Sequence, residues 1–174
     1  ICSPNHLHLA HTKFALQNGI DVICEKPLVL NSSDLEVIAL YERNYNATVN
    51  SILQLRLHPS IIELREKVAS AAEDKVFDVK LTYLTSRGKW YLKSWKGLDE
   101  KSGGVATNIG VHLYDMLGFV FGKVTANEVH YRDQKTSSGY LEFDRARVSW
   151  FLSIDPSFLP ENAVVEDKTT FRSV

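Results

Sequence analysis

Apolar and polar residues are arranged along the first part of the chain in a way that predicts helices and strands in turn. Residues 20–24 are apolar except for Asp21 and predict a buried parallel strand, and residues 48–53 predict a second strand. Apolar residues near a 3.6-residue spacing predict helices over 7–17 and from 34 to about 44. The chain starts in a strand-like segment, and the order strand, helix, strand that it opens is half of a doubly wound α/β unit.

Residues at the predicted helix ends support these boundaries. Either Ser3 or Asn5 is placed to cap the first helix, and residues 31–34 are placed to cap the second. Gly19 is placed to stop the first helix in the left-handed conformation. The face of the first helix that we expect to pack consists of Leu7, Ala10, Phe14 and Ala15.

From residue 76 onward, apolar residues recur at every second position. Residues 77–84 alternate between apolar and polar, which predicts a half-buried antiparallel strand. A helix is predicted to start at Ser60, and another to run from near Asn108 to Gly122. Further strand-like runs lie at 128–132, 139–143, 145–154 and 169–174, with a hairpin at 143–145.

These patterns predict an α/β fold class with two domains. We expect residues 1–54 to be part of a Rossmann-like parallel domain, and residues 55–174 to form an α+β domain with an open, mostly antiparallel sheet. The chain starts inside a strand-like segment and contains no G-x-G-x-x-G loop. We therefore expect an N-terminal portion, including that loop, to precede it in the whole protein.

Composition narrows the classes of partner. The net charge is −1, so no basic field attracts nucleic acid. There is no apolar run near 18 residues and no signal-peptide pattern, so we expect a soluble cytoplasmic protein without a membrane partner. Cys2 and Cys24 both lie in apolar contexts and are expected to be buried, reduced thiols.

In the tetrapeptide Cys24-Glu25-Lys26-Pro27, the first residue ends the predicted strand and the other three directly follow it. In an open α/β sheet, ligands bind beyond the carboxyl ends of the strands. Lys26 is therefore placed to meet a substrate, and Pro27 restricts the backbone before it. The alternative is a solvated turn.

Three histidines lie close together near the start of the chain. His8 and His11 share a helical face, but no acidic or thiol partner lies nearby, so we predict no metal site. His6, at a strand end, is placed either beside a nicotinamide or in solvent as a capping residue.

Residues 86–97 interleave four cations with three aromatic rings. Arginine pairs with phosphate or carboxylate, and aromatic faces stack on planar rings, so the segment suits an anionic ligand that carries a base. Single-stranded nucleic acid would use the same groups, although the neutral charge balance speaks against it. An oligomer interface is the other alternative.

Asn108, His112 and Asp115 are spaced to share one helical face. A histidine in the first turn of a helix feels the positive end of the dipole, which favours the neutral imidazole and hence a general base. The alternative is a buried structural histidine whose ring pairs with Asp115.

Glu25-Lys26-Pro27 after a strand, together with the Gly-Gly-x3-Asn-x-Gly-x-His-x2-Asp helix at 103–115, resembles the Gfo/Idh/MocA oxidoreductase superfamily. Within it, four segments look like the UDP-N-acetylglucosaminuronate 3-dehydrogenases of lipopolysaccharide O-antigen synthesis: residues 3–8, 54–59, 85–91 and 106–112.

The resemblance implies roles for individual residues. Lys26 would contact the reacting hydroxyl, and His112 would be the general base. Asn108 stands where many relatives have aspartate, which leaves more of the base work to His112. The residues implied in NAD binding are Ser3, Pro4, Asn5, His6, Glu25, Lys26 and Pro27, and those implied in substrate binding are Arg87, Lys89, Lys93, Trp95, Asn108 and His112.

The predicted activity is oxidation of the C3 hydroxyl of UDP-N-acetylglucosaminuronate by NAD rather than NADP. The alternatives are another sugar or inositol dehydrogenase of the same superfamily, or a non-catalytic module that binds sugar nucleotides. Trp150, Phe151 and Phe158 predict an exposed sheet face. We therefore expect a homo-oligomer, a dimer or a tetramer as the resemblance implies.

Overall fold

The computed structural model describes residues 1–159, and its first part is built on a small parallel sheet. Strands β1 (Val22–Cys24) and β2 (Val49–Ser51) pair in parallel, with Val22 opposite Val49. Helices α1 (His8–Gln17) and α2 (Ser33–Tyr45) pack against each other beside it. The predicted order α1, β1, α2, β2 is confirmed, whereas the strand-like segment expected at the start of the chain, residues 1–4, is not a strand.

The buried face of α1 differs from the prediction. His8, Thr12 and Leu16 are its fully buried side chains, whereas Phe14 is 69% exposed. Four-residue spacing places these three on one side of the helix, so the buried face consists of positions 8, 12 and 16 and not of the predicted Leu7, Ala10, Phe14 and Ala15. Strand β1 is buried on one face only, because Ile23 on its other face is exposed.

The predicted capping side chains make no capping hydrogen bond at the first two helices. A turn of 3-10 helix, Asn5–Leu7, precedes α1, and neither Ser3 nor Asn5 caps through its side chain. Ser32 stands at the N-cap of α2 without a side-chain bond. Backbone amides close these turns instead, as Leu7 N does on Pro4 O at 2.8 Å. Gly19 has the predicted left-handed conformation, with φ of 67°.

The second part of the chain forms a four-stranded sheet with the order β3-β6-β5-β4. The strands are β3 (Phe77–Leu84), β4 (Val124–Arg132), β5 (Thr136–Phe143) and β6 (Ala146–Ser153). The hairpin predicted at 143–145 joins β5 to β6, and the sheet is mostly antiparallel as expected. The prediction for β3 was wrong, because β3 pairs with β6 in parallel. Alternation shows that one face is buried but not the direction of the neighbour.

The helices that accompany this sheet in the described part of the chain are α3 (Pro59–Ser70), α4 (Trp90–Lys93), α5 (Asp99–Ser102), α6 (Gly104–Asn108) and α7 (Gly110–Phe121). Helix α7 buries Leu117 and Phe121 in the same cluster as Val148 and Leu152 of the central strand β6. A smaller cluster around Leu16 and Cys24 belongs to the first part.

Two sequence expectations about exposure need correction. Trp150 does not lie on an exposed face; it is buried with its ring edge-on to Tyr114, while Phe151 contacts Phe158. Cys2 is exposed and only Cys24 is buried. The strand predicted at 169–174 lies outside the described residues. Within residues 1–159, no helix is long and apolar enough to cross a membrane.

Candidate active site

Lys26 follows β1 directly and extends across to the second part of the molecule. Its Nζ donates a hydrogen bond to the backbone oxygen of Asn108 at 2.6 Å. Burial lowers the pKa of the Lys26 ammonium, and the positive charges of Lys96 and Arg87 lower it further, against an opposing effect of Glu25. An ammonium has three donors, so two remain for a ligand.

His112 lies in the first turn of α7, as predicted, and faces the same region. Burial lowers the pKa of its ring, and the charge of Lys26 adds to this effect. The ring is not paired with Asp115, because that carboxylate binds Arg56, whose Nε donates to Asp115 Oδ2 at 2.8 Å. Nδ1 of His112 is buried without a hydrogen-bond partner among the described residues. A neutral imidazole carries a proton on one nitrogen and a lone pair on the other, so the ring can accept a proton.

A cavity of about 330 Å³ brings these two side chains together. Its size suits a sugar-sized ligand. Its walls combine both parts of the chain, and the lining residues are Lys26, Gln54, Leu55, Tyr83, Arg87, Trp90, Tyr91, Lys96, Asn108, Ile109, His112 and Leu113. The convergence of Lys26, Asn108 and His112 on one cavity is the geometry that their proposed roles require.

The cation–aromatic segment 86–97 contributes to the cavity in part. Arg87, Trp90, Tyr91 and Lys96 line it, whereas Lys89, Lys93 and Trp95 are not among the lining residues in the described structure. Trp90 begins a single helical turn, so successive residues of the segment face different directions.

Some lining residues were missed by sequence reasoning. Lys96 and Tyr91 belong to a segment that the sequence singles out, but the spacing does not show which of its residues face inward. Gln54 and Leu55 follow β2, and the rule that ligands bind beyond the carboxyl ends of parallel strands gave a signal for them.

Asn5 is committed to the junction between the two parts of the chain. Its Nδ2 donates to Ser102 O at 3.0 Å and to Asn108 Oδ1 at 3.1 Å. Nδ2 of Asn108 in turn donates to the Tyr91 hydroxyl at 2.9 Å. Both amides are buried. The spacing predicted that Asn108 lies on the helix of His112. Instead, Asn108 is the last residue of the preceding helix α6.

His8 holds the two loops of the predicted cofactor site side by side. Its Nε2 lies 2.8 Å from Ser3 O, and its Nδ1 lies 2.7 Å from Pro27 O. Glu25 N donates to Ile1 O at 2.9 Å, which ties the same loops together. The backbone from Ser3 to Asn5 therefore runs beside the segment from Glu25 to Pro27.

The three histidines near the start of the chain occupy different settings. His6 is exposed, His8 is buried, and Nδ1 of His11 bonds to the Ser3 hydroxyl at 2.9 Å. Within residues 1–159, no group of three or more histidine, cysteine, aspartate or glutamate side chains is placed to hold a metal ion.

Two domain models of one oxidoreductase family match the chain in order. The model of its NAD-binding Rossmann fold matches residues 1–51, and the model of its C-terminal alpha/beta domain matches residues 74–158. Together they account for most of the chain and for both of its sheets.

Solved structures give the same picture. The WlbA (WbpB) dehydrogenase from Thermus thermophilus, in complex with NAD and UDP-GlcNAcA, is 48% identical with a TM-score of 0.86, over 91% of this chain and 51% of that one. The WlbA dehydrogenase from Bordetella pertussis, in complex with NADH and UDP-GlcNAcA, is 18% identical with a TM-score of 0.78, over 87% and 50%. The second likeness shows the fold alone.

A curated relative is the D-glucoside 3-dehydrogenase of Escherichia coli, 26% identical over 157 residues, which cover 86% of this chain and 44% of the relative. The chain thus spans about half the length of these proteins.

Proposed function

The chain belongs to the Gfo/Idh/MocA oxidoreductase family, and we propose that the whole protein oxidises the C3 hydroxyl of UDP-N-acetylglucosaminuronate with NAD⁺. The observation that carries this proposal is the shared cavity of Lys26 and His112. The family match and the Thermus thermophilus structure, which is 48% identical and holds NAD and UDP-GlcNAcA, support it.

The cation-rich wall of the cavity supports an acidic, nucleotide-linked sugar. Arg87 and Lys96 line it beside Trp90 and Tyr91. Guanidinium and ammonium groups pair with carboxylate or diphosphate, and aromatic rings contact the apolar faces of sugars and bases. A neutral sugar needs neither cation.

Residues of this chain that fit NAD lie at the carboxyl end of β1. The backbone of Ser3–Asn5 runs beside Glu25–Pro27, and His8 holds the two loops together. This paired edge is where dinucleotides bind in a Rossmann fold. The nicotinamide end would be held by Ser3, Pro4, His6, Glu25 and Pro27. The side-chain amide of Asn5 is already hydrogen-bonded to Ser102 and Asn108. NAD⁺ supplies the hydride acceptor when bound.

The protein's own groups handle the proton and the charge. His112, kept neutral by burial and by Lys26, removes the proton of the C3 hydroxyl. The Lys26 ammonium, held by the Asn108 carbonyl, stabilises the negative charge that develops on the oxygen. Partial burial of both groups strengthens this electrostatic stabilisation relative to the same charges in water.

The wider setting of the reaction follows from the same proposal. We place it in the cytoplasm, as a step of lipopolysaccharide O-antigen synthesis carried out by a homo-oligomer. Every residue of β4 is exposed, including Val129 and Tyr131, so an apolar sheet face is open to a second copy. Sedimentation of the purified enzyme tests the oligomer.

NADH formation tests the activity. The full-length enzyme is incubated with NAD⁺ and UDP-N-acetylglucosaminuronate, UDP-N-acetylglucosamine or myo-inositol. We expect turnover of the uronate and little of the other two. Equal or better turnover of myo-inositol would contradict the proposal and favour a dehydrogenase for neutral sugars or inositols.

A further inference from the structure

The hydroxyl of Tyr91 has a part in the site that the proposed function, on which it rests, does not yet use. Tyr91 lies on α4 and is only 3% exposed, yet it lines the cavity that Lys26 and His112 share. A buried tyrosine hydroxyl normally finds hydrogen-bond partners. Which of its two roles, donor or acceptor, is already used decides what it can offer a ligand.

Three connected hydrogen bonds show which way the bond between Asn108 and the Tyr91 hydroxyl runs. The carbonyl oxygen of Ser102 only accepts, so the amide atom of Asn5 that faces it at 3.0 Å must be the donor, Nδ2. The same Nδ2 lies 3.1 Å from Asn108, which must therefore turn its oxygen, Oδ1, toward Asn5. This orientation points Nδ2 of Asn108 at the Tyr91 hydroxyl, at 2.9 Å.

The tyrosine oxygen is consequently an acceptor, and its proton is left over. Within residues 1–159, the Tyr91 hydroxyl donates to no other group. Burial raises the pKa of Tyr91, although the Asn108 bond and Arg87 oppose this, so the hydroxyl keeps its proton near neutral pH. An unused donor on a cavity wall is suited to an acceptor oxygen of a ligand.

We propose that Tyr91 is a further substrate-binding residue, whose hydroxyl donates a hydrogen bond to an oxygen of the sugar, and that Asn5 and Asn108 are positioning residues that keep this proton directed into the cavity. The backbone of Asn108 also holds Lys26 at 2.6 Å. One buried residue thereby orients both the ammonium and the phenol toward the same ligand.

The first test replaces Tyr91 by phenylalanine in the full-length enzyme. Tyr91→Phe removes one oxygen and keeps the ring in the core. We expect kcat/KM for UDP-N-acetylglucosaminuronate to fall by about 5- to 30-fold and KM for NAD⁺ to stay within about twofold, as for loss of one buried hydrogen bond to a ligand. Tyr140→Phe, which removes a hydroxyl from β5 outside the cavity lining, serves as the matched control and should leave both constants unchanged.

The second test reverses the direction of the hydrogen bond between residue 108 and the Tyr91 hydroxyl. In Asn108→Asp the carboxylate only accepts, so Tyr91 must donate to it and its proton is withdrawn from the cavity. Adding Tyr91→Phe to Asn108→Asp should therefore cost little in kcat/KM, even though the same change is costly in the wild-type background. A purely structural tyrosine would lose its bond to residue 108 in both backgrounds.

The outcomes separate this proposal from the proposed function. Wild-type turnover with an unchanged Tyr91→Phe variant, or an equal loss in both backgrounds, would overturn the role of Tyr91 and leave the proposed activity intact. A wild-type enzyme that neither binds nor oxidises UDP-sugars would overturn both. A loss in the wild-type background that disappears in the Asn108→Asp background supports the proposal.

Discussion

Replacing Asn5 by alanine tests the junction that brings the two halves of the active site together. The Asn5 amide donates two hydrogen bonds, to Ser102 O and to Asn108 Oδ1. Asn5 is 5% exposed, and both bonds are buried. Asn5→Ala therefore removes the donor from two acceptors that water reaches poorly.

The expected cost follows from these two acceptors. Leaving one buried acceptor without a partner costs roughly 1–3 kcal/mol, so two give about 2–6 kcal/mol in the free energy of unfolding. Asn18→Ala is the matched control, because the Asn18 amide also donates to a backbone oxygen, Phe14 O at 2.7 Å, but at an exposed site. We expect that control to cost less than about 1 kcal/mol.

Urea unfolding of the full-length enzyme measures both variants. The free energy is extrapolated to water and the slope is compared with that of the wild type. Asn5→Ala should also lower turnover, since Asn108 then loses the contact that orients its amide toward Tyr91. Equal destabilisation by Asn5→Ala and Asn18→Ala, or a cost under about 0.5 kcal/mol for Asn5→Ala, would show that the two buried hydrogen bonds do not hold the junction.

Three further predictions concern the chemistry. Lys26→Met and His112→Gln should each lower kcat by about 10²- to 10⁴-fold with the fold intact by circular dichroism, and activity within about threefold of wild type for both would exclude their roles. Because burial and then Lys26 lower the pKa of His112 from 6.5, kcat/KM should fall on the acid side with a midpoint below 6.5, and Lys26→Met should move that midpoint upward; a midpoint above 6.5 in the wild type contradicts this sign. Arg87→Gln and Lys96→Met should raise KM for the UDP-sugar acid by about 5- to 30-fold while KM for NAD⁺ holds, and equal effects on both substrates would place these cations elsewhere.

Sequence patterns predicted the main architecture because apolar residues are spaced differently in the strands of the two sheets. The apolar run before Lys26 and the alternation over β3 showed a parallel and then a half-buried sheet, and both are present. The direction of β3 could not be read, since alternation reports burial but not the neighbour. Its partner β6 lies far along the chain, beyond α7 and the β4–β5 pair, and only the fold shows that pairing.

Helix α1 shows where hydrophobic patterning fails. The buried His8 ring lies between the carbonyl oxygens of Ser3 and Pro27, one of which accepts the ring N–H, and so it connects the loop before α1 to the loop after β1. Tertiary hydrogen bonds of this kind leave no periodic signal in a single sequence. Phe14, a large apolar residue of that helix, is exposed instead.

The sequence singled out the main residues of the candidate site but not the hydrogen bonds and ion pairs that they make. Strand-end placement singled out Lys26, and the i, i+3 spacing singled out His112 with Asp115. Asp115 pairs with Arg56, which precedes it by 59 positions, and Asn108 belongs to a separate helix that ends before α7 begins. The break between α6 and α7 turns the Asn108 amide toward Asn5 rather than along the helix of His112.

A crystal structure of the full-length enzyme with NADH and UDP-N-acetylglucosaminuronate tests most directly whether Lys26 and His112 meet at one alcohol oxygen. We predict Nζ of Lys26 and a ring nitrogen of His112 both within about 3.2 Å of the sugar O3. A complex in which O3 contacts neither group, with Lys26 bound only to the Asn108 carbonyl, would contradict the account.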